Sequence, residues 1–277
     1  MKKDKASDSA NSADRIGTCK LCLQVKELCQ SHYIPKSVYR LFHKRQLGDP
    51  VVMTPNLVLS TSQQIRDYLL CLDCEARFSI AEKYVVACMA RDGGFPLRDK
   101  LQGKPSSPAG KYLRFSGLQA GIDTDKIAYF AISMVWRGAV HAWATIDRQC
   151  TAEIVVPNLE ALRRYLLGET PLPDDTRVFV LVCADMISQL HVQAPFMVNG
   201  PGNENLFEMM IAGILMQVGI QRDPRERDLW CAVHTPDRAI FFGDNESNTL
   251  DWARPFHENA RIAKNVKSIP RKRLSKR

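Results

Sequence analysis

Two cysteine pairs constrain this chain more than any other feature: Cys19-Lys20-Leu21-Cys22 and Cys71-Leu72-Asp73-Cys74. In a C-x2-C pair the intervening residues turn the backbone so that both sulfurs fall on one side. Two such pairs supply the four soft ligands that tetrahedral zinc prefers. Their separation is long for a zinc ribbon. It suits a site in which an N-terminal knuckle gives one pair and the start of a helix gives the other. A structural zinc on Cys19, Cys22, Cys71 and Cys74 is therefore the expectation. Buried thiols without a metal are one competing reading. A second is more local, because Cys29 and His32 also have ligand spacing, so that Cys19, Cys22, Cys29 and His32 would form the site and leave the second pair out.

Length and composition allow one full hydrophobic core or two domains in 277 residues. The apolar share is 45% and the charged share 25%, ordinary for a globular protein. Residues 1–15 are polar, without the apolar centre of a secretory signal. The most apolar run, 127–136, is too short for a bilayer, so no membrane association is expected. Nine cysteines, an odd number with four in metal spacing, favour a reducing compartment, and a cytoplasmic, bacterial-type setting is the expectation. The net charge of +8 has a definite location. Residues 261–277 carry eight basic and no acidic residues, which leaves 30 of each sign in 1–260. The body is formally neutral and the excess sits on a basic tail.

Along the chain, 1–15 lacks apolar periodicity and reads as disordered. A short strand is expected around 21–25 beside the first cysteine pair. Val38, Leu41 and Phe42 suggest helical turns after Pro35, and 50–60 reads as extended around Pro55. Thr61 to Gln64 resembles a helix start ahead of Ile65, Tyr68 and Leu69. The apolar stripe Phe78, Ala81, Val85, Cys88 and Met89 predicts a helix over 74–91, stopped by Asp92-Gly93-Gly94. Gly and Pro make 97–121 the linker candidate, with a short strand at 111–115. A long buried helix follows over 125–145, capped by Thr124 or Asp125, and a second over 159–167 ends at Gly168. Strands are expected at 177–185 and as a hairpin of 229–234 with 238–242, whereas 206–220 is ambiguous between helix and strand. Trp136, Val140 and Trp143 read as a core stripe, with Arg137 and His141 a polar pair facing a groove. No P-loop, catalytic Ser-His-Asp or dinucleotide fingerprint is present.

Cys-x2-Cys, then Ser31-His32-Tyr33-Ile34-Pro35, then Asn56-Leu57 in an extended segment, then a second Cys-x2-Cys opening a helix, resembles the HNH nuclease family. It is most similar to the divergent members with two zinc-knuckle cysteine pairs. The resemblance covers about 19–86 and implies a ββα-metal, treble-clef-like module in which zinc staples a hairpin to a helix. It further implies His32 as the general base, Asn56 as the tether of the loop carrying that base, and Glu75 as a ligand of a catalytic Mg²⁺ or Mn²⁺. Two positions depart from the pattern: Ser31 and Ser79 stand where family members carry metal ligands. Glu75, Ser79 and Glu82 fall on one helical face, so Glu82 is a candidate replacement ligand for the cation.

The expected protein is thus α+β. Residues 1–15 are disordered, 16–96 form the zinc module, 97–121 a linker, 122–260 a mixed helix and antiparallel-sheet domain, and 261–277 a basic tail. The expected function is metal-dependent endonucleolytic hydrolysis of DNA or RNA. The alternative is a catalytically degenerate zinc module that binds nucleic acid or a protein partner, the latter through the C-terminal domain.

Overall fold

A computed structural model describes residues 15–44, 51–54, 57–60, 64–91, 93–143, 154–189, 191–198, 205–221 and 230–244. The expected disordered start (up to residue 14) and the basic tail lie outside these residues. The described chain is mixed α+β, and no helix in it is long and apolar enough to cross a membrane.

The N-terminal part is a three-stranded antiparallel sheet followed directly by a helix. Strands β1 (Ile16–Thr18), β2 (Val25–His32) and β5 (Arg66–Cys71) pair in the order β1-β2-β5. Between β2 and β5 the chain makes α1 (Lys36–Lys44) and an antiparallel pair, β3 (Val51–Thr54) with β4 (Leu57–Ser60), as the extended reading of 50–60 anticipated. Two local expectations are corrected. Residues 21–24 form a turn rather than a strand, because Leu23 takes a positive φ of 59° and its N–H returns to the Cys19 carbonyl. Of the helix start expected at Thr61 to Gln64, residues 61–63 lie outside the described residues. Tyr68 and Leu69 belong to β5, where pairing with β2 outweighs a short apolar pattern that suits either state.

Helix α2 (Leu72–Cys88) begins as β5 ends, and its apolar stripe Cys74, Phe78, Ala81, Val85 and Cys88 is buried. It packs on α4 (Thr124–Val140), where Phe78 meets Trp136 edge-on at 6.2 Å. The α4 N-cap is Asp123, one residue before Thr124 and two before Asp125, the predicted caps, and its carboxylate accepts from the Lys126 N–H at 3.0 Å. The helix ends at Val140. Trp143 then folds back, and its indole N–H donates to the Arg137 carbonyl at 2.9 Å. Burial on all sides of 131–138 places α4 between α2 on one flank and sheet on the other. Helix α5 (Leu159–Leu167) packs beside it and ends at Gly168, whose φ of 74° makes the left-handed cap.

The expected linker, 97–121, is instead built into the structure. It contains most of α3 (Pro96–Leu101), and then β6 (Ser106–Ala109) and β7 (Tyr112–Ser116), which enter a seven-stranded sheet. The Gly and Pro residues read as linker signals serve its tight connections, as at Gly110 between β6 and β7, where φ is 60°. The remaining strands are β8 (Arg177–Cys183), β9 (Val192–Met197), β10 (Leu206–Ile211), β11 (Ile214–Gly219) and β12 (Ala239–Gly243), with a short helix α6 (Met186–Gln189) after β8. The order is β6-β7-β12-β8-β11-β10-β9, antiparallel except between β8 and β12.

The ambiguous segment 206–220 is a tight hairpin. Ala212 and Gly213 both have positive φ, 47° and 87°, as a two-residue turn between twisted strands demands. The expected hairpin of 229–234 with 238–242 does not form among the described residues. Of its first arm the described residues 230–234 make no strand, and the Thr235 hydroxyl closes a local turn by donating to the Cys231 carbonyl at 2.6 Å. β12 pairs with β7 and β8 instead. Most buried apolar residues form one cluster that runs from Cys19 through α2 and α4 to Ile240 in β12.

Candidate metal centre

The four cysteines converge from two directions. Cys19 and Cys22 lie on the turn after β1, held by Cys19 N–H to the Gln24 carbonyl at 2.9 Å and by Lys20 N–H to the Leu69 carbonyl at 3.1 Å. Cys71 is the last residue of β5 and caps α2 without a side-chain hydrogen bond, and Cys74 lies in the helix's first turn. The positive dipole end of the helix thus lies at Cys71 and Cys74.

The four Sγ atoms lie within 4.8 Å of one another, and Cys22 and Cys71 are 3.9 Å apart. Four sulfurs around a tetrahedral zinc at about 2.3 Å would stand about 3.8 Å apart. The donor set and its spacing fit a metal ion such as zinc. Among the described residues no other group of three or more His, Cys, Asp or Glu side chains has this property. Cys29 lies elsewhere on β2, opposite Leu70, so the alternative site of Cys19, Cys22, Cys29 and His32 is not assembled.

Electrostatics inside the cluster are divided. Burial pushes the Cys74 thiol strongly upward, and the neighbouring thiols add to it. Cys22 is raised for the same two reasons, opposed by the Gln24 backbone N–H. Cys19 also loses solvent, yet hydrogen bonds from the Cys22, Cys71 and Leu21 backbone N–H groups outweigh that and hold it below the ordinary thiol value. A divalent cation removes the mutual penalty among such thiolates. The knuckle is fixed from outside by α5, since Arg163 donates to the Leu21 carbonyl at 2.6 Å.

His32 ends β2, directly opposite Arg66 on β5. Its Nε2 lies 2.7 Å from Gln64 Oε1. An amide oxygen only accepts, so Nε2 carries the proton and Nδ1 keeps its lone pair. Burial lowers the His32 pKa most. The Gln64 bond opposes this, while the cations Lys36, Arg66 and Arg137 add to it. The next residue anchors the strand end: Tyr33 is buried and stacks on Trp143 at 5.2 Å with planes 10° apart. Along the same hairpin runs a cleft of about 550 Å³ lined by Arg15, Cys29, Gln30, Arg66 and Tyr68, among others. Arg66 belongs both to this cleft and to the surroundings of His32.

The other predicted residues separate. Asn56 lies outside the described residues. Glu75, Ser79 and Glu82 share one half-buried stripe of α2, as their spacing implied. Glu75 Oε1 is buried without a hydrogen-bond partner among the described residues. Glu82 Oε1 is bound to the Arg137 guanidinium at 2.6 Å, and that guanidinium lies over the Phe78 ring at 4.7 Å. Arg137 and His141 are therefore not a pair at a groove: Arg137 is buried against α2, and His141 contacts Asp67 at 3.0 Å. Ser31 is buried and accepts from the Leu70 N–H, and Ser79 donates to the Ala76 carbonyl.

Comparison with protein-family models, with curated proteins and with solved structures gives no match. The chemistry of the site accordingly rests on its own geometry. Sequence reasoning missed Gln64, Arg163 and the Glu82–Arg137 pair. Each acts across 32 to 142 residues of chain, and none carries a local motif that would announce it.

Proposed function

We propose that the chain is an HNH-like endonuclease, its knuckle, β2–β5 hairpin and α2 joined by zinc in a ββα-metal, treble-clef arrangement. It hydrolyses nucleic-acid phosphodiesters with His32 as the general base. The observation that carries this reading is the state of His32. Its Nε2 lies 2.7 Å from Gln64 Oε1, and burial, with Lys36, Arg66 and Arg137 adding to it, lowers the ring's pKa. The Nδ1 lone pair is then free to take a proton from water at physiological pH. Of these cations Lys36 and Arg66 suit a phosphate, and Arg66 also lines the neighbouring cleft, which would take the nucleic-acid backbone. The basic tail adds sequence-independent attraction.

In HNH enzymes a hard cation such as Mg²⁺ or Mn²⁺ screens the phosphate and stabilises the leaving oxygen. Of the predicted ligands, Glu75 fits that role through its unpartnered oxygen. Glu82 does not, because Arg137 already occupies its carboxylate. The engagement of Glu82, Ser31 and Ser79 favours a second reading, a zinc module that binds nucleic acid or a protein partner without cutting.

The two readings separate in one experiment. Wild-type protein and His32→Ala are incubated with DNA and with RNA in Mg²⁺ or Mn²⁺, and cleavage and binding are measured together. The nuclease reading expects cleavage that falls by roughly 10²- to 10⁴-fold in His32→Ala, with metal content and binding unchanged. Salt-dependent binding with both nucleic acids intact under every cation contradicts it and supports the binding module.

A further inference from the structure

On the face of the seven-stranded sheet opposite α4, Leu181, Met210, Leu215 and Phe241 form a second, separate apolar cluster. Beside it opens a pocket of about 290 Å³, lined by the rings of Tyr112, Phe179 and Trp230 and by Glu208 and Gln217. Glu208 on β10 and Gln217 on β11 stand directly opposite each other, and Gln217 Nε2 donates to Glu208 Oε2 at 2.7 Å. No other hydrogen bond to the Glu208 carboxylate is formed among the described residues. Among the described residues no Lys, Arg or His lines the pocket. Loss of solvent raises the Glu208 pKa, opposed only by the Gln217 bond. Among the described residues a carboxylate so placed has no positive partner of the kind that buried charge requires.

The aromatic walls indicate what kind of cation fits. Phe179 is inclined 49° to Tyr112 and 47° to Trp230, with centroids 6.5 and 6.1 Å apart. Tyr112 and Trp230, each tilted against Phe179, wall a corner instead of forming the parallel slot that a flat heterocycle fills. Phe241 braces two of these walls, stacked on Trp230 at 4.7 Å and on Phe179 at 4.9 Å. Trp230 remains 42% exposed.

We propose that this pocket binds an alkylated ammonium head group, its alkyl groups against the aromatic rings and its charge answered by the Glu208 carboxylate. The head group comes from a free small molecule of the choline type or from a methylated lysine side chain of a protein. The site is independent of His32 and of the four cysteines.

The test titrates the full-length protein with choline, with trimethyl-lysine amide, with the neutral carbon isostere of choline and with guanosine. Calorimetry and the ring-current shift of the ligand methyl protons are the readouts. The proposal expects at least one cation to bind with upfield-shifted methyls and the neutral isostere to bind at least about tenfold more weakly. Tighter binding of choline identifies a free small molecule, and tighter binding of trimethyl-lysine a protein side chain. Glu208→Gln and Trp230→Ala should each lose about tenfold or more, and Trp230→Phe should keep most of the affinity. Equal affinity for the neutral isostere, unchanged affinity in Glu208→Gln, binding of guanosine alone, or no binding of either cation overturns it. The comparison of charged and neutral ligands uses wild-type protein, so the result stands even where a variant fails to fold.

Discussion

At the scale of single residues, the account turns on the basicity of His32. Burial is the largest influence and lowers its pKa from the ordinary 6.5, with Lys36, Arg66 and Arg137 acting in the same direction. The acid limb of kcat/KM against pH should therefore lie below about 6.5. A limb at or above that value in the pH–rate profile would show that another group is the base. The sign carries over to stability. A histidine whose folded pKa is depressed stabilises the fold fully above its unfolded value of about 6.5, and that contribution is lost as pH falls toward the folded value. His32 was legible in the sequence because Ser31-His32-Tyr33-Ile34-Pro35 is a compact motif. Gln64 was not, since an amide 32 residues away becomes its partner only when β5 pairs with β2.

Among the elements, α2 and α4 decide how rigidly the N-terminal part is held. Their polar link is the Glu82–Arg137 pair, with Arg137 only 1% and Glu82 17% exposed. Arg137→Met leaves a largely buried carboxylate unpaired and should cost about 3–5 kcal/mol in denaturant unfolding, whereas combining it with Glu82→Leu should cost much less. Glu82→Gln should leave any requirement for added cation unchanged, and a raised requirement would restore Glu82 as a ligand. A second contact joins α4 to the end of β2. A Cβ on Gly138 would fall 2.6 Å from the Tyr33 hydroxyl and 2.7 Å from Ile154 Cδ1. Gly138→Ala should destabilise by about 1–3 kcal/mol and displace the strand end that carries His32, which thermal melts and cleavage rates would both register. The helices were readable because their stripes are long: α5 matches its expected bounds, and α2 begins two residues earlier and ends three sooner. Shorter segments were not. Tyr68 and Leu69 suit a helix or a strand equally, and the partner strand makes the choice. The hairpin of β10 and β11 depends on Ala212 and Gly213 both adopting positive φ, which alanine does not advertise.

For the molecule as a whole, the cysteine cluster is where distant stretches are tied together. The knuckle meets β5 through Lys20, α5 through Arg163 and α2 through the sulfurs of Cys71 and Cys74. Its apolar residues Cys19 and Leu21 belong to the cluster that continues to β12. Cysteine spacing foretold this convergence because two C-x2-C turns suit one tetrahedral ion. The spacing could not foretell that the supposed linker supplies strands to the main sheet, because glycine and proline mark tight turns and loose chain alike. A metal at the four sulfurs couples its binding energy to folding, so chelation should unfold the N-terminal part together with its contacts to α4 and α5. The most direct test is the zinc content of purified wild-type, Cys29→Ser and Cys71→Ser proteins, measured by elemental analysis. The account predicts one tightly held zinc in wild-type and in Cys29→Ser, and none in Cys71→Ser. Zinc retained by Cys71→Ser and lost by Cys29→Ser would move the site to Cys29 and His32, and would remove the base on which the proposed chemistry depends.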